Sequence, residues 1–180
     1  MRFIIMPFSL ALLGGCATLP GDVYIQESKA TGTKVVRLEP AGVWNSQIKL
    51  GLAKSLNTPG DDVILTAVVL EADNIEAKES LIINIDGAVT KLSPIDTVTR
   101  IETIPGGQGV SAWNESSRQY AVKEEFLKKM IEGQKVFVRL NSAKGFYEGE
   151  FRGGFVSAKS GFEKFLAEII KQRGGPTAAK

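Results

Sequence analysis

The chain has 180 residues, of which 43% are hydrophobic and 23% charged, and its formal net charge is +2. This balance indicates a folded domain and gives no reason to expect nucleic acid as a partner. There is no histidine, and Cys16 is the single cysteine. These counts exclude Ser-His-Asp and Cys-His catalysis, His-rich zinc sites and any disulfide within the chain.

The first sixteen residues have the order of a secretory signal. Arg2 precedes an apolar run from Phe3 to Leu13, which is too short to cross a membrane as a helix. Small residues then lead to the cysteine. The segment Leu13-Gly14-Gly15-Cys16 resembles the lipobox of bacterial lipoproteins, in which a leucine and two small residues precede the acceptor cysteine.

This resemblance implies a membrane-anchored protein of the cell envelope. Residues 1–15 would be removed as a signal peptide, and Cys16 would become a diacylglyceryl cysteine with a further acyl chain, such as palmitate, on its new amine. Ala17 resembles the residue that follows the cysteine in lipoproteins sent to the outer membrane. We therefore expect the mature chain at the outer membrane, facing the periplasm.

About 165 residues remain after such cleavage, which suits one domain. The polar segment 16–33 is predicted to be the lipidated N-terminus and a flexible spacer, although its apolar residues 23–25 are able to dock on the domain. A single β-rich globular domain is predicted over 34–173. The glycine- and proline-containing end, 174–180, is predicted to be a loose tail.

Strands dominate the predicted domain. Two hairpins are expected: one at Asp86-Gly87, which suits a type I′ turn, and one that turns between Asn141 and Gly145. A glycine-rich segment, 105–109, interrupts the strands. The alternating or β-branched runs that predict strands are 35–38, 47–52, 63–70, 81–92, 95–104, 135–140 and 146–151.

Two helices are predicted late in the chain. The first covers 122–131, with Glu-Lys pairs four residues apart, and Gly133 is its expected stop. The second begins with a capping box at Ser160 and Glu163 and carries an apolar stripe from Phe162 to Ile170. The sequence therefore predicts a mainly β (α+β) fold: an antiparallel β-sandwich or curled sheet of about seven to nine strands with two short helices near the C-terminus.

Trp113 and Trp44 are the candidate binding residues. Trp113 follows the glycine-rich segment, and an aromatic ring on a loop can stack on a sugar or anchor a partner protein. Packing at the edge of the core is the alternative for both. Ser46 and Lys49 have the Ser-x-x-Lys spacing of penicillin-recognising enzymes, but the companion motifs are missing. No catalytic residue, metal ligand or cofactor is predicted.

Three functions are compatible with these features. The first is a non-catalytic β-rich binding or scaffolding domain, whose partner is an envelope protein or a cell-wall component and not nucleic acid. The second is a carboxylate-dependent enzyme acting on cell-wall glycan, because glycoside hydrolysis requires only two Asp or Glu residues. The third is a protein inhibitor of an envelope-directed enzyme, which predicts an exposed rigid loop at 105–114.

Overall fold

The computed structural model describes residues 19–106, 109 and 111–174. The predicted signal peptide 1–15, its lipobox residues and Cys16 lie outside the described residues, as do 175–180 of the predicted tail. The described strands are β1 (Val23–Glu27), β2 (Lys34–Gly42), β3 (Ile48–Ser55), β4 (Asp62–Val69), β5 (Leu81–Ile85), β6 (Ala88–Leu92), β7 (Arg100–Ile104), β8 (Trp113–Lys123), β9 (Val136–Ser142) and β10 (Gly145–Glu150). The helices are α1 (Glu124–Glu132) and α2 (Ala158–Gln172).

The larger sheet has six strands in the order β1-β2-β3-β4-β8-β7, and every neighbouring pair is antiparallel. It curls into a half-barrel. Successive side chains point to opposite faces of a strand, so Ile48, Leu50 and Leu52 of β3 enter the core. Lys49, Gly51 and Ala53 lie on the other face, which faces away from the core.

The smaller sheet has the order β10-β9-β5-β6 and is built from two hairpins. The β5–β6 turn is the predicted one: Asp86 has φ 51° and Gly87 has φ 96°, as a type I′ turn requires at both central positions. The Asp86 carboxylate also accepts hydrogen bonds from the backbone N–H groups of Gln134 and Lys135. The turn is thereby fixed to the start of β9.

The core lies on one side of the six-stranded sheet. Helix α2 packs against β1, β2 and β3 on this side and also contacts α1. Buried aromatic side chains fill the space, and Phe151 meets Phe162 edge-on with 5.0 Å between ring centroids. The core is thus closed by α2 together with the smaller sheet. Among residues 19–106, 109 and 111–174, no element forms a second layer on the opposite face of the large sheet.

The mainly β, antiparallel fold class with a curled sheet and a terminal helix is confirmed. The described strands number ten, one above the predicted range. The predicted spacer 16–33 is wrong in part, because Val23–Glu27 forms β1 and pairs with β2. The predicted strand 95–104 is shorter, since only Arg100–Ile104 pairs with β8.

Strand β8 was not predicted because its core-facing positions are partly polar. Ser116 and Arg118 are buried there, alongside Tyr120 and Val122. The Ser116 hydroxyl donates to the carbonyl of Glu71 at 2.7 Å, and Arg118 donates to the carbonyl of Asp96 at 2.8 Å. Loops thus supply partners for the Ser116 hydroxyl and for the terminal nitrogens of Arg118, while Nε of Arg118 has no partner among the described residues. Because these core-facing residues are polar, the hydrophobic alternation is lost from the sequence.

The helices also begin at other residues than predicted. Val122 belongs to β8, and α1 starts at Glu124 and ends before Gly133, as expected for its stop. The N-cap of α2 is Ser157, whose hydroxyl accepts from the N–H of Ser160 at 3.3 Å. The capping box predicted at Ser160 and Glu163 is therefore wrong by one turn, because Ser160 is the third helical residue.

Candidate functional site

The face of the six-stranded sheet that points away from the core is concave and forms a groove of about 770 Å³. Strands β2, β3, β4, β8 and β7 all contribute side chains to it. A concave surface of this size is the usual place for a ligand. We call it the sheet groove; the residues used below are Arg37, Glu39, Lys49, Gly51, Ala53, Ile64, Thr66, Arg100, Glu102, Glu115, Ser117 and Gln119.

The floor of the sheet groove carries several small side chains beside the larger Ile64 of β4. Gly51, Ala53, Thr66 and Ser117 come from three adjacent strands. A β-bulge between Leu38 and Ala41 shifts the register of β2. It brings the Pro40 ring to 3.0 Å from where a Cβ of Gly51 would stand. The close neighbour of Gly51 is therefore Pro40, and Ala53, Thr66 and Ser117 are the small residues that let a bound chain lie close to the sheet.

The sheet groove carries charges of both signs. Lys49 on β3 and Glu115 on β8 meet across β4, with Nζ 2.8 Å from Oε1, and both side chains are partly buried. The indole N–H of Trp113 donates to the same Oε1 at 3.1 Å. Trp113 therefore orients a groove carboxylate and lies at the end of the groove.

The two sides of the groove repeat this pattern. On β2, Arg37 and Glu39 line the groove. The hydroxyl of Tyr24 on the neighbouring β1 donates to Glu39 at 2.7 Å. Burial, followed by this hydrogen bond to a carboxylate, raises the pKa of Tyr24. On β7, Arg100 pairs with Glu102. Since cations and anions alternate along the walls, the groove is suited to a ligand that also carries both charges and not to a polyanion.

A second polar cluster lies beside the smaller sheet. The Tyr147 hydroxyl stands 3.1 Å from Oε2 of Glu71 and 3.0 Å from Oδ2 of Asp73. The two carboxylate oxygens are therefore no more than about 6 Å apart, a spacing found in glycoside hydrolases. Such enzymes require one carboxyl group with a raised pKa, to act as the general acid.

The pKa shifts in this cluster have the opposite direction. The hydrogen bond from Lys144, followed by that from Tyr147, lowers the pKa of Glu71. Burial raises the pKa of Asp73, but hydrogen bonds from Ser142 and Tyr147 outweigh it and lower the value. Only Glu71 of this pair lines the adjacent 470 Å³ pocket. Neither Glu71 nor Asp73 therefore has the raised pKa that a general acid requires.

The two predicted binding residues lie at the same end of the large sheet, but at the ends of different strands. Trp113 begins β8 and contacts the sheet groove through Glu115. Trp44 follows β2 and is 54% exposed, with the Arg152 guanidinium 3.8 Å from its ring centroid. Cys16 is outside the described residues. Of the loop 105–114, residues 107, 108 and 110 are outside them too.

Sequence reasoning missed the charged groove residues. Arg37, Lys49 and Glu115 are ordinary surface residues in a strand pattern, and nothing in their spacing shows that they meet. The available signal was the placement of Gly51 and Ala53 opposite the apolar face of β3. Small residues there indicate a close approach by another group.

Within the residues that the structure describes, no three His, Cys, Asp or Glu side chains form a group able to hold a metal ion. No described helix has the length and apolar character needed to span a membrane. Searches of protein-family models, curated proteins and solved structures found no match to this chain.

Proposed function

We propose that the protein is a cell-envelope lipoprotein, anchored through Cys16, whose β-rich domain binds an extended segment of another envelope protein without catalysis. The sheet groove is the observation that carries this proposal. It is a concave surface on a face that no other described element covers, with several small residues on its floor and charges of both signs along it. A polypeptide offers both charges and a narrow backbone, so it matches these properties better than a glycan or a polyphosphate.

The anchor is supported by the order of residues 2–16, with Leu13-Gly14-Gly15-Cys16 at the end of an apolar run. Its test is separate from that of the groove. Cys16→Ala is expected to leave uncleaved precursor without a palmitate label in the producing cell. Mature, membrane-held protein from that variant would contradict the anchor.

The groove is tested by crosslinking in the cell. A photo-crosslinking amino acid replaces Gln119, an exposed residue that lines the sheet groove, or, as a control, Lys91, an exposed residue of β6 in the other sheet. After illumination, crosslinked species are identified by mass spectrometry. We expect one dominant envelope protein from position 119 and not from position 91.

Other outcomes separate the alternatives. Equal crosslinking from both positions would show that the groove is not the binding site. Glycan fragments in place of a protein would favour the hypothesis that the partner is a cell-wall component. A complex with an envelope-directed enzyme that survives loss of the groove charges would favour an inhibitor acting through the loop 105–114.

A further inference from the structure

We propose that one end of the domain, formed by Leu19, Trp44, Arg152, Phe155 and Val156, rests on the surface of the lipid bilayer. We call these five residues the anchor-side surface. The proposal rests on the proposed lipid anchor at Cys16. It adds an orientation: the domain lies against the membrane at this end and does not move freely above it.

The anchor-side surface exposes large apolar side chains. Phe155 is 99% exposed, Leu19 is 65% exposed and Val156 is 49% exposed. All three residues lie in loops between or before the helices and strands, and they are not part of the buried core. A cluster of apolar side chains in water is unfavourable unless another apolar medium covers it.

Contacts between backbone segments place these residues together. The position of a Cβ on Gly21 is 3.7 Å from Cγ1 of Val156, so the N-terminal segment passes beside the loop 152–156. Gly42 forms a parallel bridge with Ser157, which follows this loop, and Trp44 forms an antiparallel bridge with Glu150, which precedes it. Arg152 stacks on Trp44.

The distance along the chain to Cys16 decides what covers this surface. Leu19 is three positions after Cys16, and Gly21 is five positions after it. A fully extended chain spans at most about 3.6 Å per residue, so five positions cover no more than roughly 18 Å. Because Val23 already belongs to β1, no long spacer holds the domain away from the acyl chains.

The chemistry of the anchor-side surface also fits a bilayer. Tryptophan is favoured at the membrane–water interface, where its ring is apolar and its N–H is polar. Arg152 supplies a cation at the level of the lipid phosphates, and Phe155 supplies an apolar side chain that can enter the acyl region.

The experiment uses the full-length lipidated protein reconstituted in vesicles of phosphatidylethanolamine and phosphatidylglycerol. An environment-sensitive fluorophore is attached to Gly153→Cys, which keeps Phe155 and Val156; a Cβ at Gly153 meets no atom within 4 Å. The control reporter is Thr58→Cys, an exposed turn residue that follows β3, at the opposite end of that strand from the anchor-side surface. Nitroxide-labelled lipids serve as the quencher.

We expect blue-shifted emission and lipid quenching at position 153 and neither at position 58. Adding Phe155→Glu to the Gly153→Cys protein should abolish the quenching, and because Phe155 is exposed this change does not affect folding. Vesicle-bound protein without quenching at 153 would overturn the orientation and leave the anchor intact. Equal quenching at both positions would also overturn it. So would a blue shift in detergent without lipid quenching, because that result indicates that a second copy of the chain covers the surface. Protein that does not bind vesicles would refute the anchor itself.

Discussion

Lys49 and Glu115 are 66 positions apart in the sequence, yet the ammonium nitrogen of the first lies 2.8 Å from a carboxylate oxygen of the second. The pair crosses β4 on the concave face of the large sheet. It lies near the end of the sheet groove that Trp113 marks. The pair can therefore contact a bound ligand, and it also links β3 to β8.

Exchanging the two charges separates these roles. Glu115→Lys or Lys49→Glu alone should lower the free energy of unfolding by about 1 kcal/mol or less, since the pair is partly exposed to solvent. The double exchange should restore stability but not the partner crosslinked from position 119, because the ligand would meet reversed charges. Urea unfolding and crosslinking measure the two effects. The same exchange of Glu79 and Lys91, an exposed pair on the smaller sheet, should leave the crosslink unchanged.

The floor of the groove predicts a steric effect at Gly51. A Cβ there would stand 3.0 Å from Cγ of Pro40 and 3.1 Å from the backbone oxygen of Leu38. Gly51→Ala should therefore lower the free energy of unfolding by about 1–3 kcal/mol, because the bulge in β2 must move. Gly42→Ala is the matched control in β2, since a Cβ there meets no atom within 4 Å. Equal urea midpoints for the two variants would refute the close packing of Pro40.

A buried ionic cluster joins both helices to β3. Lys54 and Glu124 are almost fully buried with 3.2 Å between them, and Arg173 donates to Glu124 at 2.6 and 3.0 Å. Glu124→Ala leaves Lys54 buried without its partner and should lower stability by about 3–5 kcal/mol. The exposed Glu163→Ala is the control and should have little effect.

The same cluster predicts a loss of stability in acid. Burial raises the pKa of Glu124, but hydrogen bonds from Arg173 and Lys54 outweigh it, and the folded-state pKa lies below the ordinary value of 4.5. A carboxyl group with a lowered folded-state pKa stabilises the fold above its unfolded pKa, and this contribution is lost as the pH falls through the folded pKa. Urea unfolding from pH 7 to pH 3 should show the loss in the wild type and a smaller one in Glu124→Gln.

Tyr120 predicts a loss of stability in alkali. Its side chain is fully buried, its hydroxyl lies 2.8 Å from that of Ser80, and burial raises its pKa to about 12. The unfolded chain loses this proton near the ordinary value of 10.0, so the free energy of unfolding should decrease as the pH rises from about 10 to about 12. Tyr120→Phe should lack this component of the decrease. Identical slopes in the two proteins would contradict the assignment.

The hairpin turn tests a backbone effect without a steric one. Gly87 has φ 96°, and a Cβ there would meet no atom within 4 Å. Gly87→Ala should therefore cost about 1 kcal/mol through backbone conformation alone. Gly153→Ala, which also has open space but no positive φ, should cost less. Thermal unfolding of the two variants provides the comparison.

Much of the fold could be predicted because local pattern and tertiary structure agree. The Asp86-Gly87 hairpin, the alternation in β3 and the apolar stripe of α2 each contain their own signal. Strand β8 could not be predicted in this way. Its buried Ser116 and Arg118 donate to carbonyl groups of loops more than twenty residues away. When only neighbouring residues are considered, the polarity of β8 therefore indicates a surface segment.

The sequence by itself determined the mainly β antiparallel class, the hairpins and the terminal helix, because periodicity and turn chemistry act over a few neighbouring residues. It also supplied the hypothesis of a lipid anchor, which depends on a contiguous motif. Only the tertiary structure decided that Lys49 meets Glu115 over a floor with several small residues, and that Trp44 lies beside the loop 152–156. These pairings arise from strand register and sheet curvature, which are set by packing across the whole domain and leave no local pattern in the chain.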